Sequence, residues 1–411
     1  MSTVLDRSEA ATVTSTVAPM PPASERLAAL DVFRGATIAG MLLVNDPGTW
    51  SSIYPPLEHA EWSGWTPTDL VFPFFLFIVG ITTHLSLRKR QPHEIVPKII
   101  RRGVMIFLVG LLLNWFPFIS TGHIASIPDP TLWQRFVYKL QHLRYLGVLQ
   151  RIGLAYMAAA LISIRLSRRQ MIATIGAILL GYWIIVMLLP VPGTGTIGYF
   201  TFNDPHHTLE AWTDQHILGF NHIWVGSKWW DPEGFLSTIP AVATAMLGIL
   251  CGQWIADKRR PLLERIVGMY GVGCLAMLGG SLWSWVFPIN KNLWTSSYVV
   301  FCAGFACVVL ATCLWLVDVR HTKRWTQPFI VYGVNPLIAF AGSGLMAKII
   351  DGMWKVNVHG KPIPVQAASY QLFFEPFFPS KMASLLWALC FVAFWYLILL
   401  VLYRRNIIVK L

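Results

Sequence analysis

Runs of about eighteen or more mainly apolar residues recur ten times along the chain, over 28–46, 67–87, 97–119, 146–164, 171–190, 236–256, 264–287, 294–317, 328–350 and 382–403. Each is close to the ~20 residues that a helix needs to cross the hydrocarbon layer, where a helix satisfies its own backbone polar groups. With 55% apolar side chains, 13% charged and a mean hydropathy of +0.55, the 411 residues cannot present an ordinary water-facing surface. The expected fold class is all-α: a polytopic transmembrane helical bundle of about ten spans, occupying residues 27–405 and taking the lipid bilayer as its solvent.

Orientation follows from Lys and Arg, because short loops rich in them stay on the side from which they are not translocated. Arg88-Lys89-Arg90, Arg101-Arg102, Arg165, Arg168-Arg169, Lys258-Arg259-Arg260, Arg320, Lys323-Arg324 and Arg404-Arg405 all fall on one side if both termini are cytoplasmic. The net charge of +12 then describes a basic inner rim beside anionic lipid and calls for no nucleic acid. Residues 1–26 are polar and lack the apolar core of a signal peptide, so a disordered cytosolic tail is expected there, and a short cytosolic tail at 406–411. All six cysteines fall in spans, and neither a disulfide framework nor zinc spacing is visible. The long connections, about 47–66, 120–145, 191–235 and 351–381, all lie outside, which is where loops held by rigid spans would carry the chemistry.

The first span carries Asp31, Arg34 and Asn45 on one face, since at 100° per residue Arg34 lies about 60° and Asn45 about 40° from Asp31. Their separation along the axis is roughly 21 Å, so one polar stripe runs from the inner rim toward the outer face. A helix-start ion pair explains Asp31 and Arg34 structurally; the cost of ionisable groups in a span favours a site or pathway. Just before the second span, Glu58-His59-Ala60-Glu61-Trp62-Ser63-Gly64-Trp65 sets one histidine among acids and aromatics. His59 is suited to take a proton, with Asp69 either fixing its tautomer or favouring the helix N-terminus; a loop hydrogen bond is the plainer role. Trp62 and Trp65 offer faces that stack on sugar rings, although interfacial tryptophans are expected in any case. Arg151 in the fourth span needs an anion, for which Asp31, Asp69, a lipid headgroup and a phosphorylated ligand all remain candidates. The stretches around Asp231 and Glu233 and around Lys291 and Asn292 mix charge, amide and Trp, as a polar ligand pocket or as helix caps.

Other patterns carry less. Gly193-x-Gly195-x-x-Gly198 follows a span with no strand before it, so it reads as a flexible loop. His206, His207, His216 and His222 fit no standard metal spacing, and no metal is expected. Gly248-x-x-x-Gly252 permits close helix contact, and such faces serve packing within a chain or in a homodimer alike.

Taken in order, Leu30-Asp-Val-Phe-Arg-Gly35, Val44-Asn45, His59-Ala60 with Trp62 and Gly64, Asp69-Leu-Val-Phe-Pro73, Gly147-Val-Leu-Gln-Arg-Ile-Gly153, Asp231-Pro-Glu-Gly234 and Asn290-Lys-Asn-Leu-Trp294 resemble the heparan-alpha-glucosaminide N-acetyltransferase family, bacterial members included. The resemblance runs from about 27 to 405. It implies a bacterial inner-membrane acetyltransferase that takes acetyl-CoA from the cytosol and acetylates the amine of a glucosamine-type sugar outside. His59 matches the family's active-site histidine and Asn45 its asparagine beside the acetyl group, with Asp69 as the supporting carboxylate. Asp31, Arg34, Arg151, Lys291 and Asn335 are assigned to the donor, and Glu58, Trp62, Trp65, Asp231, Glu233 and Asn292 to the acceptor. The large luminal domain and leading span of the animal enzyme are expected to be absent. Direct transfer and an acetyl-histidine intermediate both stay open, as do two rival functions, a carrier of N-acetylglucosamine and an O-acyltransferase acting on a cell-envelope glycan.

Overall fold

A computed structural model describes residues 27–87, 92–124, 127–322, 324–358 and 360–409, so the expected tail at 1–26 and the last two residues lie outside the described ones. The first helices are α1 (Ala28–Asn45), α2 (Pro67–Leu87), α3 (Pro92–Trp115), α4 (Leu132–Gln141) and α5 (Val148–Ser163). They are followed by α6 (Arg168–Leu188), α7 (Gly198–Thr201), α8 (Leu209–Ile217), α9 (Thr238–Ala256) and α10 (Leu262–Trp283). Then come α11 (Ser296–Leu314), α12 (Thr326–Val334), α13 (Pro336–Lys348), α14 (Val365–Phe373) and α15 (Ser380–Arg404).

Among the described residues, eight helices are long and apolar enough to cross a membrane: α1, α2, α6, α9, α10, α11 with its continuation to Val319, α13 with its continuation to Met353, and α15. The other two expected spans are filled by α3, which carries Lys98, Arg101 and Arg102 in its first half, and by α5, which is shorter at 16 residues. The protein is thus an all-α polytopic membrane protein. One expected span differs: 328–350 is not continuous but breaks at Asn335, between α12 and α13. Pro336 lacks an N–H and pushes the residue before it out of the helical region, and Asn335 sits at φ −122°, ψ 57°.

Glycines set how closely the central helices approach. A Cβ on Gly35 would lie 1.6 Å from the carbonyl oxygen of Phe329, and one on Gly333 would lie 2.2 Å from that of Asp31, so α1 and α12 touch backbone to backbone. Between α2 and α9, Gly80 and Gly248 do the same, with Gly248 against the Phe77 carbonyl. These contacts hold the polar faces of α1 and α2 at fixed positions, and α3 packs on α5, and α10 on α11, around them. The long connections hold α4, α7, α8 and α14, together with an antiparallel hairpin of β1 (Lys355–Val358) and β2 (Lys361–Pro364).

Candidate active site

The polar groups collect at the two ends of α1. At its start Arg34 Nη2 donates to Asp31 Oδ1 at 2.5 Å and its Nε donates to the Gly333 carbonyl at 2.6 Å. Both residues border a cavity of about 550 Å3 between α1, α2, α3, α5 and α13. Arg102 lines it too, its guanidinium 5.1 Å from the ring of Tyr156. Above these charges the walls become apolar, with Phe75, Val79, Leu149, Ile152 and Phe340, and the cavity reaches Met41. From Asp31 to Met41 it therefore follows α1 for about 15 Å, and Asn45 lies one further turn along, with an exposed side chain.

At the other end, the connection after α1 is pinned by Gly48 N and Thr49 N donating to the carbonyl and hydroxyl oxygens of Ser384, at 3.2 and 3.0 Å. It continues to His59, whose Nδ1 lies 2.6 Å from Asp69 Oδ1. Asp69 is buried in the first turn of α2, and its Oδ2 accepts from the backbone N–H of Ala60 at 3.1 Å and of Thr66 at 3.0 Å. Tyr298 on α11 donates to the Asp69 carbonyl at 2.5 Å. So the loop before α2 fixes the carboxylate while Tyr298 fixes its backbone, and the carboxylate holds the proton of His59 on Nδ1, leaving Nε2 as an acceptor. The His59 side chain stays 44% exposed while that of Asp69 is 1% exposed, the combination a general base needs: anchored behind and open in front.

Lys291 completes this group. Its Nζ is 3.1 Å from Nε2 and 3.3 Å from Nδ1 of His59. It stands on a turn closed by Asn290 N donating to Thr295 Oγ1, Leu293 N to Asn290 Oδ1, and Thr295 N to the Asn290 carbonyl. Trp294, at φ 52°, anchors that turn: it is fully buried against Phe72 and Tyr298, and its Nε1 donates to Thr244. A non-glycine residue at positive φ is uncommon, and here the packing of the indole offsets its cost. Burial pulls the Lys291 ammonium below the usual lysine range, while the charges of Glu233 and Asp69 act to raise it.

Beside it lies a network that the sequence did not suggest. Arg144 grips Asp231 with Nε at 2.8 Å and Nη2 at 2.6 Å and reaches Glu233 at 2.5 Å. Burial pushes the Asp231 carboxyl up, whereas Glu233, despite burial, is held below the usual range by Arg144, Arg151 and Lys291. Asp214 on α8 accepts the backbone N–H of Asp231 and of Phe235.

The assigned residues thus separate. Asp31 and Arg34 share the cavity; His59, Asp69 and Lys291 share the opposite end, so Lys291 sits with the histidine rather than with the donor set. Arg151 is fully buried, donates to Gly234 O and Ser237 Oγ, and lies 5.0 Å over Trp294; Asp31 and Asp69 are not its partners. Asn335 spends its amide on Ile407 O and Val409 N, while its neighbours Val334 and Pro336 line the cavity. Ile407 and Val409 of the 406–411 tail are thereby hydrogen-bonded to the α12–α13 break. Glu58 is exposed; Trp62 donates to Phe202 O and packs edge-on to Trp230; Trp65 packs on Phe301 of α11; Asn292 is half-buried beside Lys291. Asp231 and Glu233 are engaged by Arg144. Arg102 and Arg144 were legible only as loop and rim charge; their partners lie far away in sequence.

A family model described as heparan-alpha-glucosaminide N-acetyltransferase, catalytic, matches residues 26–289. Two curated proteins of the name heparan-alpha-glucosaminide N-acetyltransferase are similar to the chain. That from Homo sapiens is 29% identical over 389 residues, covering 82% of this chain and 55% of its own; that from Mus musculus is 28% identical over 386 residues, covering 81% and 55%. The chain spans about half the length of these relatives.

Proposed function

The chain belongs to the heparan-alpha-glucosaminide N-acetyltransferase family, and from that premise we propose that it is a membrane-embedded acetyltransferase, moving the acetyl group of acetyl-CoA to the amine of a glucosamine-type sugar. The observation that carries this reading is the division of α1: a cavity bordered by Arg34 and Arg102 begins at one end, and the His59–Asp69 pair stands open at the other. In this reading the basic rim faces the cytosol of a bacterial inner membrane. Acetyl-CoA enters there, with its phosphates against Arg34 and Arg102, as anionic oxygens prefer guanidinium forks. The pantetheine arm runs along the apolar walls past Met41, and the thioester emerges near Asn45, whose amide donates to the developing oxyanion.

The acceptor amine approaches His59 from the loop side. Its nitrogen forms a bond to the acetyl carbon as the carbon–sulfur bond breaks, and its N–H proton passes to Nε2 while Asp69 stabilises the imidazolium. Coenzyme A leaves as the thiol after taking that proton. The exposed His59 ring equally permits a first transfer onto Nε2, giving an acetyl-histidine that the amine then attacks.

Labelled acetyl-CoA offered with a panel of amino sugars and hydroxyl acceptors tests the activity. Transfer to amines is expected from the wild type and none from His59→Ala of unchanged melting temperature. Wild-type transfer in that variant would remove His59 from the chemistry, and transfer only to hydroxyls would make the chain an O-acyltransferase. The interrupted α12–α13 span has the form found in carriers; stabilisation by acetyl-CoA in a thermal shift separates the two readings, because a sugar carrier has no cause to bind it.

A further inference from the structure

Lys291 lies two residues beyond the segment that the family model matches, yet its ammonium is 3.1 and 3.3 Å from the two ring nitrogens of His59. Nearly equal distances place Nζ off the line of the Nε2 lone pair, so the lysine flanks the base and leaves that lone pair to the acceptor. The charged groups acting on Nζ come from three elements: Asp69 from α2, Glu233 from the segment before α9, and Arg151 from α5. Both acids have other cationic or donor partners, Glu233 with Arg144 and Asp69 with His59, Ala60 and Thr66. The turn that carries Lys291 is cross-bonded and anchored by Trp294, so its position is built in.

An amine must be uncharged to attack a thioester, whereas a sugar amine is substantially protonated in neutral water. A cation fixed at the point of attack raises the free energy of any second positive charge there. Resting on the acetyl-transfer reading above, we propose that Lys291 makes the acceptor enter His59's reach as the free amine, its ammonium driving the extra proton off to water before the nitrogen–carbon bond forms. The remaining N–H proton then follows the route through His59 Nε2 to the coenzyme A sulfur; the imidazolium formed on the way, unlike a bound ammonium, has the Asp69 carboxylate 2.6 Å from its Nδ1 to offset Lys291. The balance is one ammonium and one thioester giving one amide, one thiol and one proton released.

The test uses the full chain in nanodiscs, with saturating glucosamine and acetyl-CoA, and reads kcat, which reports the bound state, against pH in wild type, Lys291→Met and Lys291→Arg. In Lys291→Met the rise of kcat with pH should move about one pH unit upward, giving roughly a tenfold loss at pH 7 that recovers by pH 9. The KM for acetyl-CoA should stay unchanged, and Lys291→Arg should keep the wild-type profile. A loss of equal size at every pH, an unmoved profile, or an Arg variant that behaves like the Met variant overturns the proposal. If the wild type transfers to no amine, it is the acetyltransferase reading that falls; if the wild type transfers and the profile of Lys291→Met does not move, the role of Lys291 alone falls.

Discussion

At the start of α1, Asp31 and Arg34 border about 550 Å3 of space whose walls are mostly apolar, whereas beyond its other end stand two hydrogen-bonded groups, His59 with Asp69 and Lys291, and Arg144 with Asp231 and Glu233, joined by the charge of Glu233 acting on Lys291. A long, flexible ligand is accommodated by volume and by a few charges at its polar end. A reacting centre needs the opposite, since small misplacement of a base or its orienting carboxylate is enough to lose rate. The contrast makes separate demands on the two ends: substitutions in the network should act on rate and stability, and substitutions at the cavity should act on donor affinity.

The largest effect is expected from Asp69→Asn. The amide N–H would face the Nδ1 proton of His59, favouring the tautomer with its proton on Nε2, which then has no lone pair for the amine. Activity should fall about 10³-fold with acetyl-CoA affinity kept, measured as kcat against the donor KM. Arg144→Met comes next. It leaves Asp231 and Glu233 buried without their cation, a loss on the order of 3–5 kcal/mol. Thermal melting in detergent should record it as a marked drop. An unchanged melting temperature would mean that the loop end is not held by this cluster, and the contrast with the open cavity would blur.

The same end should respond to pH. Burial pushes Glu210 up to about 7 despite the hydrogen bond from Tyr182, and Asp214 likewise to about 7. Both values lie above those of the unfolded chain, so the fold prefers the uncharged acids; their contribution is full below about pH 4 and is lost as pH rises through 7. Melting temperature should therefore fall between about pH 4 and 7 and level off above, by the equivalent of at most about 3 kcal/mol for Glu210. Glu210→Gln should flatten that fall, and a slope that stays as steep would exclude Glu210 as its source.

What the sequence made legible follows from what periodicity and charge report. Long apolar runs count turns of helix through lipid, so the spans and their approximate limits could be read directly. The stripe of Asp31, Arg34 and Asn45 could be read because one helix fixes their angles, and Asp31 and Arg34 indeed share one cavity. His59 and Asp69 were readable as partners because ten residues of loop bring the histidine back over the start of α2. Arg144 and Glu233, 89 residues apart, were not. Neither was the place of Lys291, which depends on a turn held by a tryptophan at positive φ. Arg151 shows the limit most clearly. Its neighbours Leu149 and Ile152 line the cavity, but one step along a helix rotates a side chain by 100°, and Arg151 points instead to Gly234 and Ser237.

The smallest effect belongs at the cavity, and it sharpens the comparison most. Arg34 is half-buried and already holds Asp31 and the Gly333 carbonyl, so its loss removes a support of the wall as well as a charge for phosphate. Arg102 stands across the same space and keeps part of the positive potential. Arg34→Ala should accordingly raise the KM for acetyl-CoA by about tenfold, near 1.4 kcal/mol, and leave the amine KM and the pH profile as they are. Arg34→Lys should recover only part, because an ammonium cannot reproduce the fork that meets Asp31 and Gly333 together. A rise in the amine KM with the donor KM unchanged would reverse the assignment of the two ends, since it would put the sugar, not coenzyme A, against Arg34.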